Sequence, residues 1–291
     1  VMTPDTFASC LEQLSTRPVV VASHPRSGTH LMIDVIRRHF QPCRGWKWPG
    51  EPFERLFVDV DWLGLPRWQG PSIGEQVSDT FPSVLIRVLR RSPRCLLKTH
   101  FSEGPSAWWS SSNSDPYRQI FLDWLQPRAT LIYVHRPGRS VLVSHFVQQI
   151  QREDSRHLRF SDWLRMEDTF GRSRPSAWVS HVQNWAHRPQ VACTFMAEDV
   201  ISDVDQSVAS LAESLGLDPD RQPKLPKAWR SLTARRFGRL LTVCPASTAQ
   251  LGHHRKARKP DWASLASEAD EHFFTSEVAD AKKRWGGDSN P

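Results

Sequence analysis

The chain has 291 residues, 39% of them hydrophobic and 24% charged, and a formal net charge of +7, which suits one domain with a sizeable core. No apolar run approaches the about 20 residues that a membrane-spanning helix needs, and the first residues lack the charged, apolar and small-residue blocks of a secretory signal, so a cytoplasmic protein is expected. The five cysteines Cys10, Cys43, Cys95, Cys193 and Cys244 are an odd number, widely spaced, with no C-x-x-C pair for zinc or redox work, and read as reduced packing residues.

Taken in chain order, Pro18-Val19-Val20-Val21-Ala22 is short, β-branched and ended by Ser23-His24-Pro25, the pattern of a buried strand. From Thr29 the apolar residues Leu31, Met32, Val35, Ile36 and Phe40 recur at helical spacing, so residues 23–28 form a strand-to-helix turn. Residues 41–80 are rich in Pro, Gly and Trp without a clean period and read as one elaborated loop. A helix is predicted over 82–90, a second strand over 95–98 ending in Thr99-His100, a helix over 117–125, a third strand over 130–134 and a helix over 141–150. Then come a helix over 178–185, a strand over 191–196 and an amphipathic helix over 204–215 closed by Gly216. Strands alternating with helices predict an α/β fold with a central parallel β-sheet flanked by helices. No composition break divides the chain, so a single domain over 1–291 is expected.

In such sheets ligands sit beyond the carboxyl ends of the strands, and three of those ends here carry cationic, hydroxylated or imidazole side chains. Pro25-Arg26-Ser27-Gly28-Thr29-His30 opens a helix, where free backbone N–H groups bind anions, a glycine admits close approach, and Ser27, Thr29 and Arg26 add donors and charge. The same residues also make an ordinary capped turn, and they are not a Walker A loop, which requires G-x-x-x-x-G-K-[ST]. Lys98-Thr99-His100 pairs a cation able to stabilise a leaving oxygen with an imidazole able to act as general base. Arg136 and Ser144 can converge on one phosphate if the strand ends at Val134 and a helix begins near residues 138–140. Arg255-Lys256-Ala257-Arg258-Lys259-Pro260-Asp261-Trp262 is a basic segment before a final helix and suits a lid over an anionic ligand, or a solvated loop.

In this order the four segments resemble the family of sulfotransferases that use 3′-phosphoadenylyl sulfate (PAPS), from about Val19 to Trp262. Residues 25–29 are similar to the family's P-K-S-G-T loop for the 5′-phosphosulfate, with Arg26 for the common lysine. Lys98-Thr99-His100 resembles K-T-H, whose histidine is the base. Tyr133-Val134-His135-Arg136 with Val141-Leu142-Val143-Ser144 resembles the segment whose Arg and Ser hold the 3′-phosphate. Arg255-Lys256 with Asp261-Trp262 resembles R-K-G-x-x-G-D-W, which covers the same phosphate, and Trp178, His181, Val182 and Trp185 match W-x-x-H-V-x-x-W. Leu31 and Ala197 stand where many members carry aromatic residues around adenine, Ala257 and Pro260 replace the glycines of the last motif, and Pro137-Gly138 and Ser140 replace an Asn-containing pair and an aspartate.

The resemblance implies a P-loop-like three-layer sulfotransferase fold and catalysis by His100, Lys98 and Arg26. It implies donor binding by Arg26, Ser27, Gly28, Thr29, His30, Arg136, Ser144, Arg255 and Lys256, release of adenosine 3′,5′-bisphosphate (PAP), and no metal. The acceptor would be a small molecule or a carbohydrate. Trp46, Trp48, Trp62, Trp68, Trp108 and Trp109 either line its pocket or pack the fold. Rival readings are a kinase on a related phosphate-loop fold, disfavoured by the missing Walker lysine. A nucleic-acid-binding protein would spread its basic and aromatic residues along one open face. A catalytically retired binding module would have lost Lys98 or His100.

Overall fold

The computed structural model describes residues 2–44, 57–62, 81–90, 92–109, 116–152, 157–186, 188–221 and 260–285. Its strands are β1 (Val19–Ala22), β2 (Val58–Asp59), β3 (Leu96–Thr99), β4 (Thr130–His135) and β5 (Val191–Met196). They form one sheet in the order β2-β3-β1-β4-β5, and every pairing is parallel. The helices are α1 (Pro4–Glu12), α2 (Thr29–His39), α3 (Phe81–Leu89), α4 (Gly104–Trp109), α5 (Pro116–Leu125), α6 (Gly138–Arg152), α7 (Phe160–Arg165), α8 (Arg174–Trp185), α9 (Ala197–Ser202), α10 (Val204–Leu215), α11 (Trp262–Leu265) and α12 (Glu268–Trp285).

Alternation along the strands separates two cores. Val20, Ala22, Leu97, Leu131 and Tyr133 pack with Phe7, Leu11, Leu85, Trp108, Phe121 and Trp185 on one side of the sheet. Val19, Val21, Leu96, Ile132 and Val134 pack on the other with Met32, Ile33, Ile36, Val208 and Leu211. Because side chains alternate sides at each residue of a strand, these two sets define an α/β/α sandwich, and all of β1 is buried. A third cluster joins Phe146 of α6, Phe160 and Trp163 of α7 and Phe274 of α12.

The predicted strands and the helices over 82–90, 117–125, 141–150, 178–185 and 204–215 all form, with ends moved by a few residues. Asp203 caps α10 by accepting from the Gln206 N–H at 2.9 Å, and Gly216 ends it in the left-handed region. One reading needs correction. The segment over 41–80 is not all loop, because Val58–Asp59 adds the edge strand β2, which pairs Asp59 with Lys98. The strand ending in Lys98-Thr99 is therefore third in the chain. From β1 the chain leaves toward the β2 edge, and from β4 toward the β5 edge. This reversal between neighbouring strands opens the crevice beyond their carboxyl ends where sheets of this kind bind ligands.

Candidate active site

The turn between β1 and α2 is built on two left-handed residues, Arg26 at φ 72° and Gly28 at φ 103°. Glycine tolerates this conformation, whereas an arginine there stores about 1–2 kcal/mol of backbone strain. Gly28 is also the N-cap of α2, and a Cβ on it would lie 2.9 Å from the Ala197 Cβ. The small Ala197 and the bare Gly28 thus let α9 approach the turn. Ser27 Oγ is fully buried and has no hydrogen-bond partner among the described residues. An orphaned hydroxyl beside the N-terminus of an eleven-residue helix fits a phosphate or sulfate oxygen. Thr29 Oγ1 is hydrogen-bonded to Ser23 Oγ, and the His30 ring lies 5.5 Å from that of Phe57.

Lys98 and His100 stand at the end of β3, beside this turn. His100 Nδ1 lies 2.6 Å from the Ser23 carbonyl oxygen at the end of β1. A carbonyl only accepts, so Nδ1 carries the proton and Nε2 is left with the ring's basic lone pair. Burial, then the neighbouring Lys98 charge, lowers the His100 pKa from 6.5 to about 4. The imidazole is therefore neutral at neutral pH, the state a base requires. The Lys98 ammonium is 2.8 Å from Asp59 Oδ2 and 5.4 Å from the centre of the Phe57 ring. Asp61 accepts from Thr99 Oγ1 at 2.5 Å and from the backbone N–H of His100.

A group of rings lies beside His100. His24 lies 5.5 Å from His181 and 6.1 Å from His145, ring centre to ring centre, and Tyr133 Oη is 3.0 Å from His181 Nδ1. Burial, then His145, takes His24 down to about 3, and burial, then His24, holds His181 well below the usual imidazole range. His24 and His181 are thus neutral, buried groups. Among the described residues no group of His, Cys, Asp or Glu is placed to hold a metal ion.

Arg136 and Ser144 lie as the sequence placed them, one just past β4 and the other inside α6, but they engage different partners here. Arg136 Nε donates to Glu198 Oε1 at 2.6 Å, while Ser144 Oγ accepts from Arg26 Nε at 3.2 Å. The serine thus ties α6 to the β1–α2 turn. Arg255 and Lys256 lie outside the described residues. At the far end of their segment, Asp261 caps α11, and the Trp262 indole N–H donates to Glu271 Oε2 at 2.7 Å.

Of the tryptophans considered for an acceptor pocket, Trp108 is fully buried and packs on Trp185 at 6.2 Å, so it belongs to the core. Trp46, Trp48 and Trp68 lie outside the described residues, as do the side chains of Trp62 and Trp109. A groove of about 360 Å³ lined by Met2, Cys10, Ser83, Ile86, Arg87 and Arg90 involves α1 and α3 and none of the strand-end residues.

A family model described as a sulfotransferase domain matches residues 16–235, which contain β1 to β5 and every strand-end group above. The chain belongs to the sulfotransferase family. It is accordingly an enzyme of sulfuryl transfer. No curated protein matches in sequence. Similar solved structures include a mouse sulfotransferase, SULT7A1, complexed with PAP, at 15% identity over 97% of this chain and 91% of that one, with a TM-score of 0.47. A retinol dehydratase in complex with retinol and PAP matches at 15% identity over 94% and 83%, TM-score 0.47, and one with androsterone and PAP at 18% over 92% and 81%, TM-score 0.48. The family model, not these distant likenesses, carries the assignment.

Sequence reasoning missed two of this sulfotransferase's site neighbours, Asp59 and Asp61. The signal was present in the alternation Phe57-Val58-Asp59-Val60-Asp61, a period-two pattern, masked by the Pro, Gly and Trp on either side.

Proposed function

We propose that this sulfotransferase moves a sulfuryl group from PAPS to a hydroxyl or amine of a small-molecule or carbohydrate acceptor, by in-line displacement with His100 as general base. The observation that carries the reading is the bond from His100 Nδ1 to the Ser23 carbonyl. It fixes the base three residues before Arg26 and leaves Nε2 for the acceptor proton. In the reaction the acceptor O–H or N–H bond breaks toward Nε2 and the acceptor atom bonds to sulfur. The bond from sulfur to the 5′-phosphate oxygen breaks, its electron pair stays on that oxygen, and PAP leaves. Lys98 and Arg26 stabilise the charge that grows there, at about 3 kcal/mol for a well-placed donor.

The β1–α2 turn holds the 5′-phosphosulfate through Arg26, Ser27, Gly28 and Thr29, with His30 packed behind it. Ser27 Oγ supplies a donor that has no other partner among the described residues. Arg136 and Ser144 hold the 3′-phosphate, Arg136 exchanging Glu198 for phosphate oxygens. Arg255 and Lys256 are assigned to the same phosphate on their motif alone. The free cysteines Cys10, Cys43, Cys95 and Cys193 accord with a reducing, cytoplasmic setting.

The test is transfer of label from radiolabelled PAPS to a panel of phenols, hydroxysteroids, sugars and amines, with His100→Ala and Lys98→Ala beside the wild type. The reading predicts a labelled product that both variants make at least about a hundredfold more slowly. It is wrong if the wild type neither binds nor consumes PAPS, or if His100→Ala transfers at the wild-type rate.

A further inference from the structure

The short segment from Phe57 to Asp61 braces three parts of the site at once. Its Phe57 ring lies against His30 and Lys98, at 5.5 Å and 5.4 Å, its Asp59 carboxylate meets the Lys98 ammonium at 2.8 Å, and its Asp61 carboxylate meets Thr99 Oγ1 at 2.5 Å and the His100 backbone N–H. Two carboxylates two residues apart are aimed at two successive functional groups of the neighbouring strand. The register of β2 on β3 explains half of this, because Asp59 is the cross-strand partner of Lys98 and their side chains share a face. Asp61 lies one step farther, where the chain turns over the end of β3 as a short 3₁₀ segment, Val60–Trp62.

We infer that Asp59 and Asp61 are positioning residues for sulfuryl transfer: Asp59 aims Lys98 and tempers its charge beside the base, and Asp61 fixes the Thr99-His100 peptide so that the imidazole keeps its bond to Ser23. The inference rests on the proposed roles of Lys98 and His100. Neither carboxylate touches the reacting atoms.

The geometry gives each a distinct job. A lysine stem has four rotatable bonds, and without a partner its ammonium would turn to solvent. Asp59 holds it on the face of β3 from which His100 also emerges. The pair matters electrostatically as well, since Lys98 depresses the proton affinity of His100 and Asp59 raises it. Asp61 acts through the backbone. Its two oxygens occupy one hydroxyl and one N–H, and Thr99 Oγ1 in turn accepts from the Phe101 N–H at 3.1 Å. The peptide on either side of the histidine is therefore held, and the ring meets the Ser23 carbonyl without a search.

The test uses no acceptor. PAP binding is measured by calorimetry, and the His100 ring is followed by NMR of histidine-labelled protein, its signals assigned by their loss in His100→Gln. Wild type, Asp59→Asn and Asp61→Asn are compared. PAP affinity should stay within about threefold of wild type in Asp61→Asn, whose carboxylate meets neither Lys98 nor the donor. Asp59→Asn should lower the acid midpoint of His100 by about half a pH unit, threefold in proton affinity. Asp61→Asn should turn the single Nδ1–H tautomer into a mixture. Unchanged tautomer and midpoint in both variants would overturn the inference while leaving the transfer reading intact, whereas a wild type that fails to bind PAP would remove that reading itself. Should Asp61→Asn lose its cooperative thermal transition, Asp61→Glu, which keeps the charge on a longer stem, carries the same expectation of mixed tautomers.

Discussion

Acid stability offers a direct reading of the protonation state of His100. In the folded chain His100 titrates at about 4 against an ordinary 6.5. Between those values the unfolded chain binds the proton and the folded chain does not, so stability is fully present above about pH 6.5 and drains away as pH falls toward 4. From about pH 7 to about pH 5 this one ring costs about 2 kcal/mol. Other groups move at the same time. His24 and His181, also lowered, add to the loss, while burial raises Asp34 to about 6 and raises Asp59 and Asp61, which opposes it. The net slope of the wild type is therefore not diagnostic, and the difference between wild type and His100→Gln is, because the shared groups cancel. Urea unfolding at the two pH values supplies it, with equal m-values as the check that the denatured states match. His100→Gln should lose about 2 kcal/mol less than wild type over the interval. An equal loss in the two proteins would show that His100 is not held neutral, and the argument for it as a base at neutral pH would go with it.

Three further outcomes follow from the same geometry. Gly28→Ala places a Cβ 2.9 Å from the Ala197 Cβ in a left-handed conformation, so it should cost about 1–3 kcal/mol in urea unfolding and weaken PAP binding through the displaced turn. Gly138→Ala points a Cβ at the Trp178 ring, 2.7 Å away, and should lower the melting temperature by several degrees in calorimetric scans, about 1–3 kcal/mol. Glu198→Gln removes the charge that Arg136 must leave in order to reach a 3′-phosphate, so PAP should bind several-fold more tightly, and weaker binding would show that Glu198 serves the site rather than competing with it.

Much of the fold is legible in the sequence because period changes are sharp where it matters. Val19–Ala22 is all apolar, and from Thr29 the spacing becomes helical, so the turn between them, with Arg26, Ser27 and Gly28, stands out. The edge strand Val58–Asp59 does not, since its short alternation is set among Trp, Pro and Gly. Helix α1 carried its own signal in the Thr3 cap and Pro4 at the first position, but it is short and buries only Phe7 and Leu11. At the strand ends, the partners of the side chains are not readable in the sequence. Arg136 and Ser144 share a motif, yet Arg136 meets Glu198 and Ser144 meets Arg26. Such pairings depend on how strands far apart in the chain are ordered in the sheet. The histidines at 24 and 181 were likewise invisible as a group, because β1 and α8 meet only after folding.

The central claim, that the crevice beyond β1, β3 and β4 binds a 3′-phosphorylated adenylyl sulfate, is tested most directly by calorimetry with PAP, 5′-AMP and ATP on wild type and Arg136→Ala. The account predicts that PAP binds wild type at least about tenfold more tightly than 5′-AMP and that Arg136→Ala abolishes this preference, as loss of a charge-assisted contact worth about 1.4 kcal/mol or more requires. Equal binding of PAP and 5′-AMP, tighter binding of ATP with Mg²⁺, or a preference untouched by Arg136→Ala would contradict it.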